Sequence, residues 1–137
     1  MMSDANCVFC QIVAGKIPCH KVYEDEQYIA FVDIRPSAPG HTLIVTKTHS
    51  QDIRSASMED RKGVLELVVK LAPAILKAVN AQGFNVSINI GKDAGQMIFH
   101  THIHIVPRQP KDSMNWIGKE THLDDLSLIA QKIRQNL

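Results

Sequence analysis

Three imidazoles fall within five residues, in the run His100-Thr101-His102-Ile103-His104. Imidazole titrates near neutrality, ligates metals and transfers protons, so this cluster is where chemistry is first to be sought. In a strand, residues two apart share a face. His100, His102 and His104 then line one side, and Thr101, Ile103 and Ile105 turn toward the core. Three readings fit the pattern. It is a solvated polar face, a metal site built from two or three of the imidazoles, or a catalytic site where one imidazole acts and its neighbours fix its tautomer and charge. Spacing does not separate the second from the third.

The stretch ahead of the cluster adds an anion site. Gly91-Lys92-Asp93-Ala94-Gly95-Gln96 reads as a glycine-bearing turn, which can bring backbone N–H groups toward a phosphate. Asn89 and Gln96 supply side-chain amides beside it. A second group with chemistry is Cys7-Val8-Phe9-Cys10, a pair of thiols that are free or metal-bound.

The elements that must position these groups can be placed. Residues 6–14 read as a short helix ended by Gly15. Residues 21–23 and 28–33 read as a hairpin around the polar turn Glu24-Asp25-Glu26-Gln27. Asp33 opens a loop broken by Pro36, Pro39 and Gly40, and Thr42-Leu43-Ile44-Val45-Thr46 reads as the next strand. A long helix starts at Ser57, with Asp60 as its capping partner. Leu65, Val68, Leu71, Ala72, Ile75 and Val79 form its apolar stripe. Pro73 should kink it, and Gly83 ends it. Residues 84–90 alternate apolar with Asn85, Ser87 and Asn89, which predicts a half-buried strand. Residues 100–106 form the last strand, closed by Pro107. A final helix begins near Thr121, capped with Asp124, and buries Leu126, Ile129, Ile133 and Leu137. The order predicts an α+β domain, with helices on one side of a mostly antiparallel sheet.

The chain has 137 residues, which suits one domain. With 45% hydrophobic and 21% charged residues it can build an ordinary core. A net charge of +1 gives no broad electrostatic case for nucleic acid. No run of 18 apolar residues and no secretory leader is apparent, so neither a membrane span nor export is expected. Three cysteines make a poor disulfide framework and suit a reducing, cytoplasmic setting.

The run His100 to Val106 resembles the histidine-triad motif, in which histidines alternate with apolar residues. Gly40-His41-Thr42-Leu43-Ile44-Val45 and Lys47-Thr48-His49 look like the upstream signature of that family. Asn89, Gly91, Ala94, Gly95 and Gln96 look like its phosphate-side signature, and Val8-Phe9-Cys10-Gln11-Ile12 with Ile17-Pro18 like its N-terminal segment. The chain is identified as a member of the histidine-triad family, Hint-like branch, spanning residues 1–137 with a C-terminal helical extension of bacterial type.

The resemblance implies a five-stranded antiparallel sheet and a homodimer. It implies that His102 attacks the α-phosphorus of a purine nucleotide conjugate to form a nucleotidyl-histidine, which water resolves. His104 and His41 polarise the phosphate. Asn89, Gly95 and Gln96 contact the phosphate or leaving group, and Asp33 holds the ribose. Val8, Phe9, Ile12, Phe31 and Ile34 form the base slot. Phosphoramidates, aminoacyl-adenylates and dinucleoside polyphosphates are the credible substrates, and no metal takes part in the chemical step. Met97 departs from the branch, which carries a hydroxyl residue there, and this implies weaker phosphoramidase activity. The resemblance also implies a structural zinc on Cys7, Cys10, His49 and His100, although the sequence separations match no local finger. Two alternatives stand beside the hydrolase: a nucleotide-binding regulatory module with residual turnover, and a zinc-dependent scaffold.

Overall fold

β-Branched and aromatic residues carry the chain through five strands: β1 (His20–Glu24), β2 (Tyr28–Val32), β3 (Thr42–Thr46), β4 (Gly83–Ser87) and β5 (His102–Arg108). Three helices accompany them: α1 (Val8–Val13), α2 (Met58–Val79) and α3 (Leu123–Asn136). A 3-10 turn spans Lys92–Ala94. The computed structural model describes residues 4–110, 112 and 123–137. Thr121 and Trp116 lie outside the described residues.

The strands form one sheet in the order β1-β2-β3-β5-β4, with every neighbouring pair antiparallel. This is the α+β, five-stranded architecture the sequence predicts. Helices α2 and α3 pack on one face, over Ala30, Val32, Ile44, Ile103 and Ile105. The short α1 lies on the opposite face, where Phe9 joins Ile29, Phe31, Leu43 and Val45. Helices on a single side were therefore the wrong expectation. Both faces of the central strands are apolar, so each needs a cover. Burying side chains such as Leu71, Ile75 and Ile103 contributes about 1.5–3 kcal/mol each.

Local signals place α2 well at its start and less well elsewhere. Ser57 Oγ accepts the Asp60 amide at 3.0 Å, the expected cap. The buried stripe is Val64, Leu67, Val68, Leu71 and Ile75, and Leu65 points to solvent. Asn80, in the left-handed region, ends the helix instead of Gly83, which opens β4. The helix runs on through Pro73, which lies on its exposed side. In α3, Leu126 and Ile133 are buried as predicted, but Leu137 is exposed.

Two strand readings also change. Residues 100–101 precede β5, which runs on through Pro107 to Arg108. In β4 and the two residues after it the apolar side chains are the exposed ones: Phe84, Val86 and Ile88 reach solvent while Asn85, Ser87 and Asn89 are half-buried. β4 is one of the two edge strands of the sheet, and its apolar side is partly exposed. Its polar side faces the histidines, because Ser87 pairs with His104.

Candidate active site

Register determines which histidines meet. Val45 pairs with His102 and Leu43 with His104 across β3 and β5. Both imidazoles therefore stand on the α1 face, with ring centroids 5.0 Å apart. His41, one residue before β3, reaches the same place, its ring 5.1 Å from that of His104. Phe9 of α1 sets its edge against His102 at 5.1 Å and against Phe31 at 5.6 Å.

Hydrogen bonds assign the protons. The His100 carbonyl lies 2.6 Å from His102 Nδ1, so Nδ1–H donates and Nε2 keeps its lone pair. The Ser37 amide donates to His41 Nδ1 at 3.0 Å, which puts the His41 proton on Nε2. That Nε2–H donates to His104 Nδ1 at 2.9 Å. A neutral His104 then carries its proton on Nε2, and this buried nitrogen has no partner among the described residues.

Burial keeps these imidazoles neutral. It lowers His102 below the ordinary value of 6.5 and lowers His41, against the opposing pull of the Asp33 carboxylate. It pushes His104 down to about 3, helped by the neighbouring His102 and His41. His41 Nε2 and Asp33 Oδ2, 3.6 Å apart, are therefore a neutral imidazole beside a carboxylate rather than an ion pair at pH 7.

A cleft of about 360 Å³ opens over this group, lined by Ser37, His41, Ser87, Asn89, Ala94, Gly95 and His104. Gly95, at φ +90°, takes a conformation that other residues rarely adopt and brings the turn over the cleft. Gln96 is a strut. Its Oε1 accepts the Gly91 amide, and its Nε2 donates to the carbonyls of Gln51 and Ile98. Both amide hydrogens are thus spent inside the protein. Asn89 leans on the Gly95 carbonyl at 3.5 Å. Asp33 Oδ1 accepts the Arg35 amide. Phe9 and Phe31 are buried, Ile12 is half-buried, and Val8 and Ile34 present apolar surface to solvent. Sequence reasoning missed Ser37 and Ser87. Ser87 carried a signal, since it alternates with Asn85 and Asn89, but that face looked solvated.

A second cluster lies against the first. Cys7 Sγ and His100 Nδ1 are 3.2 Å apart, Cys10 Sγ and His49 Nδ1 3.3 Å, and the two Nδ1 atoms 3.2 Å. A tetrahedral zinc with bonds of about 2.0–2.3 Å has donors roughly 3.3–3.8 Å apart. The His100 ring donates Nε2–H to the Thr46 carbonyl at 2.6 Å, leaving the Nδ1 lone pair for an ion. Backbone amides of Asp4 and Cys10 point at the sulfurs. Four donors separated in sequence by up to 93 residues thus form a set that fits a structural metal.

Asp33, His41 and His104 also gather a carboxylate and two imidazoles. An ion there would need the His41 Nε2 lone pair, and hence a proton on Nδ1. That proton would confront the Ser37 amide. The surrounding bonds therefore favour a shared proton over a metal at this place.

A family profile described as the HIT domain matches residues 14–111. "Protein hit" of Bacillus subtilis is 45% identical over 121 residues, covering 88% of this chain and 83% of that protein. An adenosine 5'-monophosphoramidase of Candida albicans is 31% identical, covering 100% of this chain and 95% of its own length. The crystal structure of a Zn-bound histidine triad family protein from Mycobacterium smegmatis superposes with a TM-score of 0.83 at 36% identity, covering 95% of this chain and 94% of that one.

Proposed function

The chain belongs to the HIT domain family, and from that premise we propose that it cleaves purine nucleotide conjugates at the α-phosphate, with His102 as nucleophile. One observation carries this reading. The His102 Nδ1–H bond to the His100 carbonyl frees the Nε2 lone pair, next to a His104 Nε2–H that none of the described residues accepts.

The chemistry follows from those protons. The Nε2 lone pair attacks the α-phosphorus. The bond from phosphorus to the leaving group breaks, and that group departs with the electron pair and takes a proton from solvent. The His100 carbonyl stabilises the charge developing on the ring, and His104 Nε2–H donates to a phosphoryl oxygen. Water then attacks phosphorus, loses a proton to solvent and returns the lone pair to His102. One hard displacement becomes two easier ones. His41 holds His104, Asp33 offers Oδ2 to the ribose hydroxyls, and Asn89 and the Gly95 turn flank the phosphate. Gln96 supports that turn. Phe9, Phe31 and Ile12 floor the base slot, with Val8 and Ile34 at its rim. The Candida albicans relative makes a nucleoside phosphoramidate the first substrate to try.

Zinc, on this reading, occupies Cys7, Cys10, His49 and His100; the Mycobacterium smegmatis neighbour is itself Zn-bound. The part of the ion is structural: it ties α1 to the segments carrying His49 and His100. The exposed edge of β4, with Phe84, Val86 and Ile88 beside it, suits pairing with a second copy into a homodimer. Cysteines outside any disulfide suit a cytoplasmic protein. No helix among the described residues is long and apolar enough to cross a membrane.

Met97 favours a second reading. It is 85% exposed and offers a thioether where the branch has a hydroxyl, which suits a nucleotide-binding module with little turnover. AMP release from adenosine phosphoramidate and from diadenosine polyphosphate decides between them. Turnover that disappears in His102→Ala supports the nucleophile. Equal rates in both proteins, or wild type that binds AMP without turnover, would establish the binding module.

A further inference from the structure

The loop between β2 and β3 ends at His41 and folds back on it. The Asp33 amide donates to the His41 carbonyl at 2.9 Å, and the His41 amide to the Ala38 carbonyl at 3.1 Å. These two bonds hold the chain so that the Ser37 amide points at the His41 ring. A backbone N–H can only donate, so it accepts one tautomer of His41 and rejects the other.

The consequence travels through two rings. With the His41 proton on Nε2, His104 Nδ1 must accept, and the His104 proton must sit on Nε2. Without the Ser37 donor, His41 can hold its proton on Nδ1, opposed only by the more distant Asp33 Oδ2 at 3.6 Å from Nε2. The central bond then reverses, His104 Nδ1–H donates, and the buried His104 Nε2 carries a lone pair in place of its proton. Each ring keeps one proton in both arrangements; only the positions change. A lone pair there repels an anionic oxygen, whereas an N–H binds it.

We infer that the backbone N–H of Ser37 is a positioning group, fixing the protons of His41 and His104 so that the cleft offers a phosphoryl oxygen a donor rather than a lone pair. The statement about phosphate rests on the hydrolase reading above; the statement about protons does not. Burial of both rings sharpens the device, because a neutral pair has no spare proton to fill the wrong site.

Nitrogen-15 NMR of the histidine rings at pH 7.5, without nucleotide, tests it directly. The wild type is expected to show Nε2–H for both His41 and His104. Ser37→Ala keeps the amide and is expected to keep both tautomers. Ser37→Pro removes the donor and is expected to move a measurable share of the His104 proton to Nδ1, with kcat for AMP release falling about a hundredfold. A wild-type His104 with its proton on Nδ1, or a folded Ser37→Pro protein with unchanged tautomers, overturns the inference. If Ser37→Pro does not fold, the wild-type spectrum alone decides. Expected tautomers in a wild type that releases no AMP support the proton assignment while overturning the hydrolase reading.

Discussion

The carbonyl of His100 accepts the Nδ1 proton of His102 at 2.6 Å, while the His100 ring turns the other way to meet Cys7, Cys10 and His49. One residue therefore serves both clusters, its backbone in one and its side chain in the other. His102→Ala is expected to abolish turnover and keep about one zinc per chain. His100→Ala keeps the carbonyl that holds His102 and is expected to lose the zinc while retaining measurable turnover. Elemental analysis beside the AMP-release assay separates the two; a His100→Ala protein that holds full zinc would show that the cluster is not a metal site.

Metal removal should be felt as stability. A structural zinc binds the folded chain and contributes its binding free energy to folding. Chelation, or Cys10→Ser, is expected to lower Tm by about 5 °C or more for a domain of this size. A metal-free sample with unchanged Tm in scanning calorimetry argues against a structural ion.

His41 and His104 both have pKa values depressed by burial, His104 to about 3. As pH falls below 6.5, the unfolded chain binds protons that the folded rings refuse. Unfolding is then favoured, so stability is full above about pH 6.5 and declines from there toward the folded value. Tm is expected to fall between pH 7 and pH 5, and to fall less steeply in His104→Asn. Equal slopes in the two proteins would assign the effect to other groups.

The edge of β4 bears on assembly. Val86 is 39% exposed, between Phe84 and Ile88. Val86→Arg places a charge on that surface and is expected to raise the dimer dissociation constant at least tenfold, with little change in monomer fold. Analytical ultracentrifugation reads this out. An unchanged mass distribution would move the interface elsewhere or remove it.

Gly40 precedes His41 at φ +88°. An added Cβ would lie 2.9 Å from Val79 Cγ1 and 3.1 Å from Pro107 Cγ. Gly40→Ala is expected to cost about 1–3 kcal/mol through strain and crowding, seen as a lower urea midpoint. Unchanged stability would mean the loop relaxes freely.

Much of this protein is legible in short windows of sequence. The alternation in the triad, the strand Thr42–Thr46 and the Ser57 cap depend on neighbours two to four residues away, and local sterics and hydrogen bonds decide them. Resemblance extended that reading to the five-stranded sheet. Tertiary structure decided what depends on distant partners. Leu65 is exposed because α2 settles on Val64 and Leu67, a rotation that the sheet beneath selects. Residues 84–88 turn their polar side inward because β4 pairs with β5 at an edge, where apolar cover runs out and a polar cleft begins. Gln96 is a strut because the carbonyls of Gln51 and Ile98 reach it first. The protons on His41, His102 and His104 follow the same rule. Each is assigned by a backbone group at Ser37 or His100, or by another ring, brought within 3.0 Å by the fold. Residue types supplied the imidazoles; chain packing decided which nitrogen of each is free to act.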